Sequence, residues 1–108
     1  MTPAPKTKTQ PETVILRAVR RHLETDGWYV VRIQQGLGCV KGIADLVATK
    51  AGRTIWVEVK TATGKQSDYQ LDFERAILAH GGEYVVARST ADVDHLCSLL
   101  DFADELTV

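Results

Sequence analysis

The sequence predicts one α/β domain: a mixed β-sheet flanked by helices, in the order α-β-β-β-α-β-α. Three observations predict it. Apolar residues recur at helical spacing in three segments, and they alternate with polar residues in strand-like segments. The third observation concerns the connections between elements. The tight turn at Ala51-Gly52 indicates a hairpin, and a later helix forms a crossover to the last strand. A hairpin combined with a helix crossover is typical of a mixed sheet with helices packed against it.

A chain of 108 residues is long enough for one domain with its own core. Its composition, 44% apolar and 25% charged, is typical of globular proteins, and no apolar run approaches the roughly 20 residues that span a membrane. The first residues lack the apolar stretch of a secretory signal, so we expect a cytoplasmic protein without a membrane partner. Cys39 and Cys97 lack the spacing of zinc ligands and are expected to be reduced thiols.

The first helix is predicted over about 11–25. Thr9 and Glu12 have the spacing of a capping box, and Gly27 follows the end of the helix. The composition on either side divides the chain into three parts: a flexible N-terminal arm at 1–8, a single domain at 9–100 and an acidic tail at 101–108.

Four strands are predicted, at 28–34, 43–49, 53–60 and 83–88. The glycine-rich loop Gln35–Gly42 lies between the first two, but it lacks the Gly-Lys-Ser/Thr that opens a helix in a P-loop. A second capping box, Ser67 with Gln70, opens a helix that continues to about His80. A short helix capped by Ser89 or Thr90 follows the last strand.

The charges are unevenly distributed although the net charge is only −1. Residues 1–65 carry eleven Lys and Arg against five Asp and Glu, whereas residues 66–108 carry two against nine. This asymmetry predicts one basic surface that could bind a nucleic acid, although chance clustering of solvated side chains remains an alternative. The candidate phosphate contacts are Arg17, Arg20, Arg21, Arg32, Lys41 and Lys65.

The third predicted strand carries a candidate site at its end. Alternation places Glu58 and Lys60 on the same face. Counting outward from the hairpin turn pairs Lys50 with Arg53 and Asp45 with Glu58, within one residue of register. Each residue alone could be a solvated strand or turn residue, but two facing carboxylates repel each other unless a cation lies between them. A divalent metal such as Mg²⁺ would suit such a pair.

These residues resemble a known motif. Gly42-Ile43-Ala44-Asp45 followed by Glu58-Val59-Lys60 looks like the PD-(D/E)xK nuclease signature, with Ala44 where the family name has Pro. The αβββαβ order is similar to the restriction-endonuclease-like core. The fuller resemblance is to the virus-type replication-repair nuclease (VRR-NUC) domain, over about residues 11–90. It rests also on the following residues: Glu12, Gly27-Trp28, Arg32, the glycine-rich loop, Thr61–Gly64, Ser67 and Gln70.

The resemblance implies that Asp45, Glu58 and the Val59 main-chain carbonyl bind Mg²⁺ or Mn²⁺. It implies that Lys60 orients or deprotonates the attacking water. Glu12 would reach the metal through water, although a capping role explains it equally well. Gln70 has the same two interpretations, catalysis or capping.

The implied function is a metal-dependent, structure-specific DNA endonuclease of a bacterial or phage-infected cell, in the cytoplasm or at the nucleoid. We expect a homodimer that cuts branched DNA such as four-way (Holliday) junctions. Two alternatives stay open: a nuclease of the same fold acting on flaps or ordinary duplex, and a non-catalytic DNA-binding module. Trp28, Trp56 and Tyr69 are predicted to fill the core rather than to stack on bases.

Overall fold

The computed structural model describes residues 10–36 and 39–97. The predicted N-terminal arm and acidic tail lie outside these residues. The order of the described elements agrees with the predicted one, and their bounds are α1 Glu12–Thr25, β1 Tyr29–Arg32, β2 Leu46–Lys50, β3 Arg53–Val59, α2 Asp68–Ala79, β4 Glu83–Ala87 and a 3₁₀ helix Thr90–Leu96. None of the helices in the described part of the chain is long and apolar enough to cross a membrane.

The four strands form one mixed sheet in the order β1-β2-β3-β4. Strands β1, β2 and β3 pair antiparallel, and β4 pairs parallel with β3. Lys50 lies opposite Arg53, as the count from the turn predicted. Ala51 and Gly52 both have positive φ angles, 50° and 82°, which is the geometry of a two-residue hairpin turn. The mixed sheet with flanking helices confirms the predicted fold class.

The main core lies between α1 and one face of the sheet. Its buried side chains come from α1, all four strands and the 3₁₀ helix, and they include Leu16, Val19, Leu23, Val30, Ala48, Ile55, Val57, Ala87, Val93 and Leu96. On the other face α2 packs on β4, and the Phe73 ring meets Trp56 edge-on at 5.2 Å between ring centroids. Tyr29, on this second face at the edge strand β1, is 72% exposed. Helix α2 therefore covers the β3–β4 half of that face.

The start of α1 differs from the prediction. Pro11 is the N-cap and makes no side-chain cap, so Glu12 is the first helical residue rather than the third. The predicted capping box is therefore wrong for Glu12, while Thr9 lies outside the described residues. The φ of Pro11 is −60°, an angle that the proline ring favours at helix starts. The second capping box is confirmed: Gln70 N donates to Ser67 Oγ, and Ser67 N donates to the Gln70 side chain at 2.8 Å.

The predicted boundaries and aromatic positions need smaller corrections. Strand β2 begins at Leu46 rather than at residue 43. Residues 40–43 form a turn instead, in which Ile43 N donates to Val40 O at 3.2 Å. Trp28 is buried as predicted, and its indole donates to Asp26 at 3.1 Å. Tyr69 is not in the core. It is 55% exposed, and it lies in the first turn of α2, whose main chain packs against the loop at Gly42.

Candidate active site

Asp45 and Glu58 come together at one edge of the sheet. Asp45 directly precedes β2, and continuing the β2–β3 pairing by one residue places it opposite Glu58. The Asp45 Oδ2 atom accepts a hydrogen bond from Val59 N at 2.8 Å, so main chain of the neighbouring strand holds this carboxylate in place. The hairpin turn and the alternation of β3 thus bring two acidic side chains into direct contact.

Glu58 is a buried acid, with only 1% of its surface exposed. Burial raises the pKa of Glu58 to about 9, and a hydrogen bond with Asp45 together with the Asp45 charge acts in the same direction. Lys60 and a 3.5 Å hydrogen bond from the Tyr84 hydroxyl act in the opposite direction. In the absence of a cation, the Asp45–Glu58 pair therefore holds a proton at neutral pH. A divalent cation at this position would take the place of that proton.

The raised pKa of Glu58 should make the free energy of unfolding depend on pH. The pKa of Glu58 is about 9 in the folded protein against an ordinary value of 4.5, so the folded chain retains a proton that the unfolded chain releases. The free energy of unfolding of the metal-free protein should therefore fall as pH rises from about 4.5 to about 9. Glu58→Gln should remove this contribution. Urea unfolding of both proteins in EDTA at about pH 5 and about pH 8 tests it, and equal changes with pH in the two proteins would contradict it.

Lys60 lies beside the two carboxylates and contacts α1. Its Nζ atom is 4.0 Å from Glu12 Oε1; the Lys60 side chain is 12% exposed and the Glu12 side chain 54%. Lys60 N donates to Ala87 O at 3.0 Å, which holds the end of β3 against β4. The fold thus brings Glu12 to the site from a distant part of the sequence. Among the described residues Glu12 forms no capping box, and its side chain contacts Lys60.

The donor atoms of the site fit a hard divalent cation. No group of three or more His, Cys, Asp and Glu side chains suited to a metal is found in residues 10–36 and 39–97. Mg²⁺ does not require such a group, because it is commonly held by one or two carboxylates together with water and phosphate oxygens. Asp45 and Glu58 are the two carboxylates, and the Val59 carbonyl follows Glu58 directly. Gln70, in contrast, uses its side-chain oxygen in the capping box.

The predicted phosphate contacts are divided among several surfaces. Arg32 lines a cavity of about 490 Å³ together with Asp45, which places one cation beside the site. Lys41 lies in a separate, smaller cavity, and Lys65 is exposed in the loop that follows β3. A third cavity is lined by the arginines of α1, which are Arg17, Arg20 and Arg21. Arg20 also forms a 3.6 Å ion pair with Glu24.

Two further residues support the site and were not predicted from the sequence. The Tyr84 hydroxyl contacts Glu58 and also accepts a 3.2 Å hydrogen bond from Gln66. The Arg88 guanidinium donates to the carbonyls of Thr61 and Gly64 at 2.6 and 2.7 Å, which fixes the turn that follows Lys60. Both residues act through the parallel pairing of β4 with β3. Period-two alternation gives the face of β3 on which Glu58 lies, but it does not show that β4 pairs with β3 next to Glu58.

Gly42 allows the loop before Asp45 to approach α2 closely. Its φ is +80°, and a Cβ atom at this position would overlap the Tyr69 carbonyl group and lie 2.6 Å from Gln70 N. Gly52 has a similar φ of +82°, but no atom of the described residues lies within 4 Å of its added Cβ. The two glycines therefore share the same backbone requirement and differ in packing.

We expect Gly42→Ala to destabilise the protein by roughly 2–4 kcal/mol, from positive φ and overpacking together. Gly52→Ala should cost about 1 kcal/mol, from the backbone alone. Urea unfolding of the two variants measures the difference, which isolates the contact with α2. Equal losses would show that the loop moves away from α2 without cost.

Comparisons with known proteins agree with this geometry. The fold matches a solved structure described as a VRR_NUC domain, with a TM-score of 0.70 and 24% sequence identity, over 82% of this chain and 95% of that one. The fold is that of the PD-(D/E)xK-type nucleases, as the motif predicted.

The model of the archaeal Holliday junction resolvase (Hjc) family matches residues 13–78. The chain belongs to this family, whose name describes Holliday junction resolvases. A UPF0102 protein of Synechococcus sp. (strain JA-3-3Ab) is 41% identical over 63 residues, which are 58% of this chain and 43% of that protein. The match therefore spans less than half the length of this relative.

Proposed function

We propose that the protein is a Mg²⁺- or Mn²⁺-dependent endodeoxyribonuclease that hydrolyses phosphodiester bonds in branched DNA, four-way junctions above all. The observation that carries the proposal is the direct contact between Asp45 and Glu58, with Lys60 beside them at an edge of the sheet. A buried acid whose pKa is raised this far by burial and by contact with a second, partly buried acid is typical of a functional site. Membership of a resolvase family supports the same chemistry.

Each residue has a proposed role. Asp45, Glu58 and the Val59 carbonyl hold the metal, whose charge would lower the pKa of an attacking water and stabilise the transition state. Lys60 Nζ orients or deprotonates that water and offsets negative charge on the phosphate. Glu12 lies next to Lys60 and keeps its ammonium group in position, and it reaches the metal through water. Gln70 closes the capping box of α2 and so supports the contact between α2 and the loop that precedes Asp45.

Branched DNA is the proposed substrate because the family model that matches is named for Holliday junction resolvases. The described strands and helices belong to one sheet-based unit, whose surface would contact the DNA. The basic residues on α1, with Arg32 and Lys65, would contact the phosphates. Such contacts position DNA by its shape.

The proposed assembly is a homodimer that acts in the cytoplasm or at the nucleoid. A four-way junction has two strands of like geometry, so a two-fold pair would present one metal site to each. Tyr29 and Val31 lie on the edge strand β1 and are 72% and 37% exposed, which makes this strip a candidate contact between two copies. Light scattering at micromolar concentration tests the assembly.

Cleavage of a set of labelled substrates tests the function. Four-way junctions, flaps, splayed arms and linear duplex are incubated with Mg²⁺, with Mn²⁺ or with EDTA. We expect cleavage with either metal, none in EDTA, and the highest rate on the junction. A rate on duplex equal to that on the junction would favour a same-fold nuclease of broader specificity. DNA binding without cleavage under all conditions would favour the non-catalytic module.

A further inference from the structure

A second pocket lies next to the candidate active site, between the first turn of α2 and the loop that precedes Asp45. It has a volume of about 300 Å³, and its lining includes Gln35, Lys41, Gly42, Tyr69 and Gln70. Tyr69 is 55% exposed, and the Lys41 ammonium lies 5.0 Å from the centroid of its ring. The pocket therefore presents an aromatic ring that is more than half exposed and has a positive charge over one of its faces.

The position of this ring is set by main-chain packing. Gly42 lies directly against the Tyr69 carbonyl, and the Ser67–Gln70 capping box fixes the turn that carries the ring. An exposed aromatic side chain contributes little to the core, and more than half of Tyr69 is accessible to a ligand. A held ring with an accessible surface loses little entropy on binding a flat ligand.

The pocket adjoins the cavity that is lined by Arg32 and Asp45. Gln35 lines both, and its side-chain amide donates to Ile43 O at 3.0 Å, which holds it between them. Arg32 and Asp45 lie on one side of Gln35, and Lys41 and Tyr69 on the other. A DNA strand whose phosphate lies at Asp45 can therefore extend over Gln35 into this pocket.

We propose that this pocket binds one unpaired nucleotide next to the phosphate that is cut, with its base stacked on Tyr69 and its phosphate at Lys41. The proposal rests on the proposed function and adds to it a reason for preferring branched DNA. In a duplex both faces of a base are covered by neighbouring pairs, whereas at a branch point a base can unstack at lower cost. Stacking on an aromatic ring is sequence-tolerant, since every base has a π face.

Removing the ring and removing the base test the contact in one cycle. DNA binding is measured by fluorescence anisotropy in EDTA, using a splayed-arm substrate with an abasic residue placed in turn at each position near the branch. We expect Tyr69→Ala to weaken binding to intact DNA by about 5- to 150-fold, the range for loss of one stacked base. At one position the abasic residue should cause the same loss in the wild-type protein, and there Tyr69→Ala should add nothing further.

Tyr69→Phe is the matched control and should bind intact DNA like the wild type, because it retains the ring. Lys41→Gln should reduce the slope of log affinity against log salt by about 0.7, as expected for one contact to a single-stranded phosphate. Thermal melting checks that each variant is folded. Full affinity in Tyr69→Ala, or an equal loss on intact and abasic DNA at every position, would overturn the proposal.

The same experiment separates this proposal from the nuclease function, because binding in EDTA does not require cleavage. If the binding cycle is as predicted but no substrate is cut with Mg²⁺, the proposed pocket stands and the proposed nuclease function is wrong. If junctions are cut with Mg²⁺ but Tyr69→Ala binds DNA like the wild type, the nuclease function stands and the proposed pocket is wrong.

Discussion

Asp45→Asn and Glu58→Gln are each expected to abolish Mg²⁺-dependent cleavage, by about 10³-fold or more, and to leave the protein folded. Each change removes a negatively charged metal ligand, and a bound metal contributes several kcal/mol to the transition state. Folding should survive because the metal-free pair already holds a proton at neutral pH, so at Glu58 a neutral amide replaces a neutral acid. Single-turnover cleavage of a labelled four-way junction measures the rate.

Thermal melting with and without Mg²⁺ gives a readout that does not depend on activity. Mg²⁺ should raise the melting temperature of the wild-type protein, because a ligand that binds the folded state stabilises it, and should have little effect on either variant. Asp72→Asn is the control, since this α2 carboxylate is 71% exposed and pairs with Arg75 rather than with the site. Cleavage at the wild-type rate by either site variant would show that the assignment is wrong.

Lys60→Ala is expected to lower the cleavage rate by about 10²- to 10³-fold, the usual loss for one electrostatic contact to the transition state. The charge of the Lys60 ammonium acts on Glu58, and the Lys60 side chain is only 12% exposed. Mg²⁺ should still raise the melting temperature of this variant, because both carboxylates remain. A loss of rate with metal binding retained would assign the ammonium to the chemical step.

Two controls accompany this variant. Lys60→Met retains most of the aliphatic chain, so an equal loss in Lys60→Met and Lys60→Ala would attribute the effect to the charge rather than to packing. Lys65→Ala removes an exposed lysine from the following loop and should cost less than about tenfold, as expected for a single phosphate contact. An unchanged rate in Lys60→Ala would exclude Lys60 from catalysis.

The sequence by itself determined the centre of the candidate site. A two-residue turn leaves little freedom in the register of a hairpin, so counting from Ala51-Gly52 was sufficient to pair Lys50 with Arg53 and to place Asp45 near Glu58. Alternation then put Lys60 on the same face as Glu58. These relations are local in the chain, and local backbone geometry decides them.

Only the tertiary structure decided what surrounds that centre. Alternation assigns Glu58 to a face of the strand but does not bury it; α2 and β4 cover that face, and the resulting loss of water raises the pKa of Glu58. Glu12 reaches Lys60, and the Tyr84 hydroxyl reaches Glu58, through packing of α1 and parallel pairing of β4. Such contacts depend on how distant segments cross, and a periodic pattern carries no record of which segments meet. The exposure of Tyr69 also became clear only in the structure: aromatic side chains were predicted to fill the core, whereas this ring, on the turn that packs against Gly42, is 55% exposed.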